Sequence, residues 1–428
     1  MKRARSLLIA LPLALSAQTS TPSATAANGF SKERLARIDQ FMQSYVDSSR
    51  VNGAVGLVLR DGKVVYEHAV GWSDREANRR MPSNAIFRIA SQSKALTSTA
   101  ILMLVEEGKI ALSDPVSRFI PAYAHTTVAL RSDSGRTPVP ARRQITIKDL
   151  ITHTAGISYG TDTFVAQQYS AKALGPAAGF SWYTADKDEP ICATMERLAS
   201  LPFVAQPGEA WVYGYSIDIL GCVVERASGK PLDEFIRTRI TDPLGMRDTH
   251  FFLPLAKRDR LVAVYASDST NHVARAVNGP RGQGDYVDGP RKNFSGGAGL
   301  LSTAQDYARF LQMILNRGEM NGVRYLSPKM VDLMTTNQSG TLYATPGEGF
   351  GLGFQTVEKL GADGLASVGS FGWGGAYGST YKVDPAEHLV IVLMINLIPN
   401  RTDLPAKFPT LVYQALTSPR AGTDRVQR

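Results

Sequence analysis

Apolar residues in SKERLARIDQFMQSYV (31–46) fall at Leu35, Ile38, Met42 and Tyr45, three to four positions apart. That spacing predicts an amphipathic helix, and Ser31 stands where its N-cap belongs. The period changes in GAVGLVLRDGKVVYEHAVGW (53–72), where two apolar runs flank Asp61-Gly62. This predicts a β-hairpin. SQSKALTSTAILMLVEEGKI (91–110) is mostly apolar, so it predicts a buried helix stopped at Gly108.

Between about 120 and 290 the chain is rich in turn and helix signals and poor in β-patterned runs. TIKDLITHTAG offers Thr146 and Asp149 as a capping box and Gly156 as a stop. ICATMERLASLP and YSIDILGCVVERASG are also helix-like. After about 296 the earlier pattern returns. STAQDYARFLQMIL opens on a second capping box, Thr303 with Asp306, and GSTYKVDPAEHLVIVLMIN reads as strand, Asp384-Pro385 turn, strand. FPTLVYQAL closes the chain as a helix. No internal repeat is visible. Helix and hairpin at both ends frame a helical middle. The expected class is α/β (α+β): an antiparallel sheet flanked by helices, built from 28–120 and 290–420, with a mainly helical insert at 121–289 and a cleft between them.

Composition narrows the class. With 43% hydrophobic and 20% charged residues in 428, the chain suits a globular protein with a sizeable core. The N-terminus joins Lys2, Arg3 and Arg5 to an apolar run from Leu7 to about Ala17, too short to span a bilayer. It reads as an export signal over 1–27, and so as periplasmic or secreted. The formal charge of +9 falls to +6 without those three cations, and no Lys/Arg cluster suggests nucleic acid. Cys192 and Cys222 could pair after export, but thirty residues of spacing do not decide whether they meet. Six scattered histidines predict no metal site, and no motif implies a cofactor.

Two serines compete for chemistry. Gly156-Ile157-Ser158-Tyr159-Gly160 matches G-x-S-x-G, but an exposed elbow needs a strand before the serine and a helix after it. Ser158 follows a helix-like stretch and precedes an irregular one. Ser91-Gln92-Ser93-Lys94 is S-x-x-K at the start of a predicted helix. Lys94 then lies on the same face as Ser91, one turn away. Unpaired N–H groups and the positive helix end stabilise charge on an attacking oxygen, and a buried lysine there is placed to accept the serine proton. Alone, the motif equally fits a capping serine and a surface lysine.

The wider context separates these readings. IFRIASQSKALTSTAILMLVEEGKIALSDPVSRFIP, ITIKDLITHTAGIS, PGEAWVYGYSIDILGCVVERASGKPLDEFI, GGAGLLSTAQDYARFLQMIL and FGWGGAYGSTYKVDP together resemble, in order from about 35 to 415, the serine β-lactamase-like family. That family holds class C β-lactamases, D,D-peptidases, D-aminopeptidases and family VIII carboxylesterases. The resemblance implies Ser91 as nucleophile, with Lys94 and Tyr213 as base and proton relay. Tyr213-Gly214-Tyr215 departs from the family's Y-x-N, with Tyr215 where an amide-binding Asn is usual; in a rival register Tyr215 is the relay. The third motif, K-T-G in lactamases and peptidases, reads Trp373-Gly374-Gly375 here, a form that looks like the esterase branch. By resemblance, the backbone N–H groups of Ser91 and Ala376 make the oxyanion hole, and Tyr215, Trp373, Gly374 and Gly375 line the substrate. The implied activity is hydrolysis of a neutral carboxylic ester through an acyl-enzyme. Amide hydrolysis, as by a β-lactamase or D,D-peptidase, and a non-catalytic cell-envelope binder are the alternatives.

Overall fold

The computed structural model describes residues 25–26, 29–132, 135–176, 182–270 and 272–418. The expected export signal lies outside them except for Thr25–Ala26, which pairs with Phe30–Ser31. Eight strands make the central sheet: β1 (Gly53–Arg60), β2 (Lys63–Asp74), β3 (Arg79–Arg80), β4 (Glu348–Phe350), β5 (Gln355–Val357), β6 (Phe371–Gly374), β7 (Thr380–Asp384) and β8 (Leu389–Met394). Their order is β4-β5-β6-β7-β8-β1-β2-β3, antiparallel throughout. Strand β8 pairs with β1 from Leu389 opposite Arg60 to Met394 opposite Val55, so the two ends of the chain share one sheet. Asp61 and Gly62 turn the first hairpin with φ of 51° and 72°. Two consecutive positive φ angles match the right-handed twist of the strands they join.

Seven helices matter for the argument: α1 (Lys32–Asp47), α2 (Ser93–Glu106), α3 (Ile147–Ile151), α4 (Ile191–Leu198), α5 (Ser216–Ser228), α6 (Ala304–Leu315) and α7 (Leu404–Gln414). The period of two in β8 assigns them to layers. Leu389, Ile391 and Leu393 bury against α1 and α7, while Val390, Val392 and Met394 join the core shared with α2, α5 and α6. Helix α1 starts as its sequence indicates, with Ser31 Oγ accepting from Arg34 N–H. Every residue of α2 from Ser93 to Leu104 is buried, which explains its lack of a polar face. Thr146 and Asp149 form the reciprocal capping box of α3. At α6, Thr303 caps Asp306 N–H, but the Asp306 carboxylate turns away to accept from Asp248 N–H at 2.7 Å and from Thr249. It ties a loop down rather than closing a second box.

The middle of the chain differs from expectation in two respects: the stretch after Ser158, expected to be irregular, is helical over Thr163–Ala171, and strands form where few were expected. Within the region expected to be poor in strands, Thr127–Ser132 pairs with Gly135–Pro140 as a β-ribbon, and a second ribbon joins Tyr265–Ser267 to Val273–Arg275. Pro138 and Pro140 hide the first from sequence, because a proline argues against a strand unless its missing N–H faces away from a partner. In a two-stranded ribbon each strand has such an outer edge. Cys192 on α4 and Cys222 on α5 form a disulfide, with Cα atoms 4.9 Å apart.

Candidate active site

Strand-like Phe87–Arg88 pairs with Leu301–Ser302 and leads into a single 3₁₀ turn, Ala90–Gln92, that runs straight into α2. Ala90 takes a positive φ of 42°. A non-glycine residue held there costs on the order of 1–3 kcal/mol, which the buried surroundings must offset. The result is a sharp entry that turns one side chain outward: from Ala85 to Leu104, Ser91 alone is not buried. Its position in the first turn leaves its N–H without a helical acceptor.

Lys94 is 2% exposed. Its Nζ donates to Ser91 Oγ at 3.3 Å, to the Tyr159 hydroxyl at 3.0 Å and to the Gly297 carbonyl at 2.8 Å. It also lies 4.6 Å from the centre of the Tyr213 ring. No carboxylate pairs with it among the described residues. Tyr213, just ahead of α5, is half-buried, and its hydroxyl accepts from Trp373 Nε1 at 3.1 Å. That bond leaves the phenolic proton of Tyr213 free to be given to another group.

The third motif sits at the end of β6. Gly375 presses on the strand leading to Ser91, and any side chain on it would collide with the Ile89 carbonyl. This close approach brings the Gly375-Ala376 backbone beside the nucleophile turn. Among the described residues, no acceptor takes the Ala376 N–H. Trp373 contributes a wall: its ring packs 5.5 Å from Tyr213, 5.5 Å from Phe350 and 6.3 Å from Trp211.

Ser91, Lys94, Tyr213, Trp373 and the 374–376 backbone therefore converge. Tyr215 does not reach the open side. It is fully buried, its ring packs 4.9 Å from Tyr159, and its hydroxyl accepts from Gly175 N–H at 3.1 Å. Burial also pushes its hydroxyl pKa up. Ser158 is likewise buried, and its Oγ accepts from Gly160 N–H at 3.0 Å.

Three neighbours of Lys94 are not evident from the sequence. Tyr159, the residue after Ser158, bonds Lys94 directly. Burial, together with Tyr213, Asp218 and Tyr215 nearby, holds its phenol well above the ordinary range, so it stays protonated. The His153 ring lies tilted 4.8 Å from that of Tyr213, neither ring nitrogen is hydrogen-bonded among the described residues, and burial, with Lys94 nearby, pushes its pKa well down. Asp218 is buried behind Gly297 and is discussed below. G-x-S-x-G draws attention to its serine, whereas the side chain it delivers to the site is the adjacent tyrosine.

The site can thus present a hydroxyl nucleophile, an amine at hydrogen-bond range, a phenol with an available proton and backbone donors facing an apolar wall. No group of three or more His, Cys, Asp or Glu suited to a metal occurs among the described residues.

Known proteins resemble this chain over most of its length. The profile of the family described as Beta-lactamase matches residues 38–412. Esterase EstB of Burkholderia gladioli is 33% identical over 377 residues, covering 84% of this chain and 90% of that protein. Lovastatin esterase of Penicillium rubens is 29% identical over 386 residues, covering 82% and 90%. The solved structure of EstCE1, described as a hydrolase with promiscuous acyltransferase activity, superposes with a TM-score of 0.76 at 28% identity, covering 90% of this chain and 99% of that one.

Proposed function

The chain belongs to the Beta-lactamase family of serine hydrolases, and from that premise we propose that it cleaves neutral carboxylic esters through an acyl-enzyme on Ser91. The observation that carries the reading is the only unburied residue of its segment, Ser91, with Lys94 Nζ 3.3 Å from its Oγ. In acylation, Ser91 Oγ attacks the ester carbonyl carbon and its proton passes to Lys94. The carbonyl oxygen, now negative, takes the N–H groups of Ser91 and Ala376. As the ester C–O bond breaks, Tyr213 gives its phenolic proton to the departing alkoxide, and the Lys94 ammonium restores it. Water then enters, loses a proton to the same pair, and attacks the acyl carbon. Ser91 leaves with the proton returned through Lys94. Trp373 holds the Tyr213 oxygen in place throughout.

Ester preference rests on Trp373. β-Lactams and D-Ala peptides carry a carboxylate beside the scissile bond, which a lysine at this position would meet with a charge-assisted hydrogen bond. An indole has no charge and here spends its single N–H on Tyr213. Such a bond to a charged group is worth about 1.5–3 kcal/mol, or roughly 10–150-fold. Values of kcat/KM for p-nitrophenyl butyrate, nitrocefin and a D-Ala-D-Ala peptide should therefore fall in that order, with the ester ahead by at least about tenfold. Nitrocefin turned over faster than the butyrate would reverse the substrate assignment and leave Ser91 as nucleophile. No turnover of any of the three, with no phosphonate label on Ser91, would favour a binding protein.

Export is the second part of the proposal. The leader at 1–27 supports it, and the Cys192–Cys222 disulfide suits an oxidising compartment. Intact mass measured on protein from the native host should show loss of the leader and of two thiol hydrogens. A full-length chain with both thiols free would overturn this part.

A further inference from the structure

Among the described residues Lys94 has no carboxylate in contact, yet it is tied to one. Its Nζ donates to the Gly297 carbonyl at 2.8 Å. The other end of that same peptide unit, Ala298 N–H, donates to Ser295 Oγ at 3.0 Å. Ser295 in turn donates its hydroxyl to Asp218 Oδ1. One peptide plane and one hydroxyl therefore connect the ammonium to a carboxylate that is wholly buried on α5. A second bond fixes the same turn, from Gly297 N–H to Oδ1 at 3.1 Å, and Oδ2 has no hydrogen-bond partner among the described residues. Glycine at 297 is required for this approach, since a side chain there would run into the carboxylate.

We propose that Asp218 is a positioning residue for Lys94: through Ser295 and the Gly297–Ala298 peptide it aims the carbonyl that grips Nζ and supplies the negative charge that balances the ammonium formed during acylation. The inference rests on Lys94 as proton acceptor. Every bond in the chain points the same way, so each polarises the next and the chain is stronger than isolated bonds. In a dry interior the carboxylate acts across the peptide with little screening.

The other groups around the pair do not supply that charge. Ser91, Tyr159, Tyr213 and His153 surround Lys94, and Tyr123, Tyr159 and Tyr215 surround Asp218. His153 is held neutral by burial, and burial keeps Tyr123, Tyr159 and Tyr215 protonated. Burial holds the Asp218 carboxyl above its ordinary range against the opposing pull of Lys94, Ser295 and Gly297; the two donors that converge on Oδ1 are the geometry that favours its charged form.

The sign of the effect follows. A negative Asp218 helps Lys94 keep its proton. Asn at 218 keeps the shape and the acceptor oxygen but loses the charge, so Lys94 becomes free to accept a proton from a lower pH upward. The acid limb of kcat/KM against pH for p-nitrophenyl butyrate should shift down by about one unit in Asp218→Asn. The plateau kcat should fall severalfold, because the base is weaker. Ser295→Ala, which breaks the chain and keeps the carboxylate, should shift the limb less and in the same direction. The double variant should resemble Asp218→Asn alone. Thermal melting checks that each is folded. If Asp218→Asn does not fold, the Ser295→Ala profile carries the test. An acid limb unmoved in a folded variant, with Lys94→Ala still inactive, overturns the role of Asp218 alone. Lys94→Ala retaining near wild-type turnover overturns the reading beneath it.

Discussion

Ser91→Ala should lower kcat for p-nitrophenyl butyrate by a factor on the order of 10⁴ or more, while Ser158→Ala should leave it within a few-fold of wild type. The argument is geometric before it is chemical. Ser91 Oγ lies on the unburied side of the turn and within 3.3 Å of an amine that can take its proton. Deleting a nucleophile leaves only the background supplied by binding and the oxyanion donors. Ser158 is 3% exposed and uses its oxygen to close a local turn onto Gly160 N–H. Its loss removes one buried bond, worth about 1 kcal/mol of stability, and no step of the reaction. Stopped-flow kinetics with melting curves on both variants decide the matter. A dead Ser158→Ala beside an active Ser91→Ala, both folded, would move the chemistry to the other serine.

The pattern of apolar positions carried a large share of the fold. The apolar runs that flank Asp61-Gly62 and Asp384-Pro385 mark two hairpins, and both form. What periodicity does not contain is register between distant strands. The pairing of β8 with β1 is set by which buried faces meet across more than three hundred residues of chain, a tertiary fact. The ribbon at 127–140 was lost for the opposite reason, since prolines that are tolerable on an outer edge look like strand breakers in a one-dimensional reading.

The same division holds at the site. Ser91 and Lys94 are legible because one helical turn fixes their relation. Tyr213 needed the family resemblance, because it comes from another element. Tyr159 and Asp218 had no local signal. One follows a serine in a loop, and the other sits on the buried face of α5 where an apolar residue would be the default. A buried carboxylate in a helix is itself the clue, because it costs several kcal/mol unless hydrogen-bonded.

The second large effect concerns the proton relay. Lys94→Ala and Tyr213→Phe should each reduce kcat by about 10²–10⁴-fold, the usual worth of general acid–base help, with much smaller changes in KM. Lys94 is the group within reach of the serine proton, so its loss should slow acylation, visible as a smaller or absent burst of p-nitrophenol. Tyr213 keeps its ring and its packing against Trp373 and Lys94 when only the hydroxyl is removed. Its kcat loss should therefore be largest for esters of poor leaving alcohols, which need protonation most, and smallest for p-nitrophenyl esters. Tyr215→Phe gives the contrast. Its hydroxyl meets a backbone N–H at Gly175 inside the protein, so the variant should lose about 1 kcal/mol of stability and little activity. A Tyr215→Phe enzyme crippled on alkyl esters while Tyr213→Phe stays active would assign the relay to Tyr215 instead. Equal losses for Tyr213→Phe on activated and unactivated esters would remove leaving-group protonation from its role.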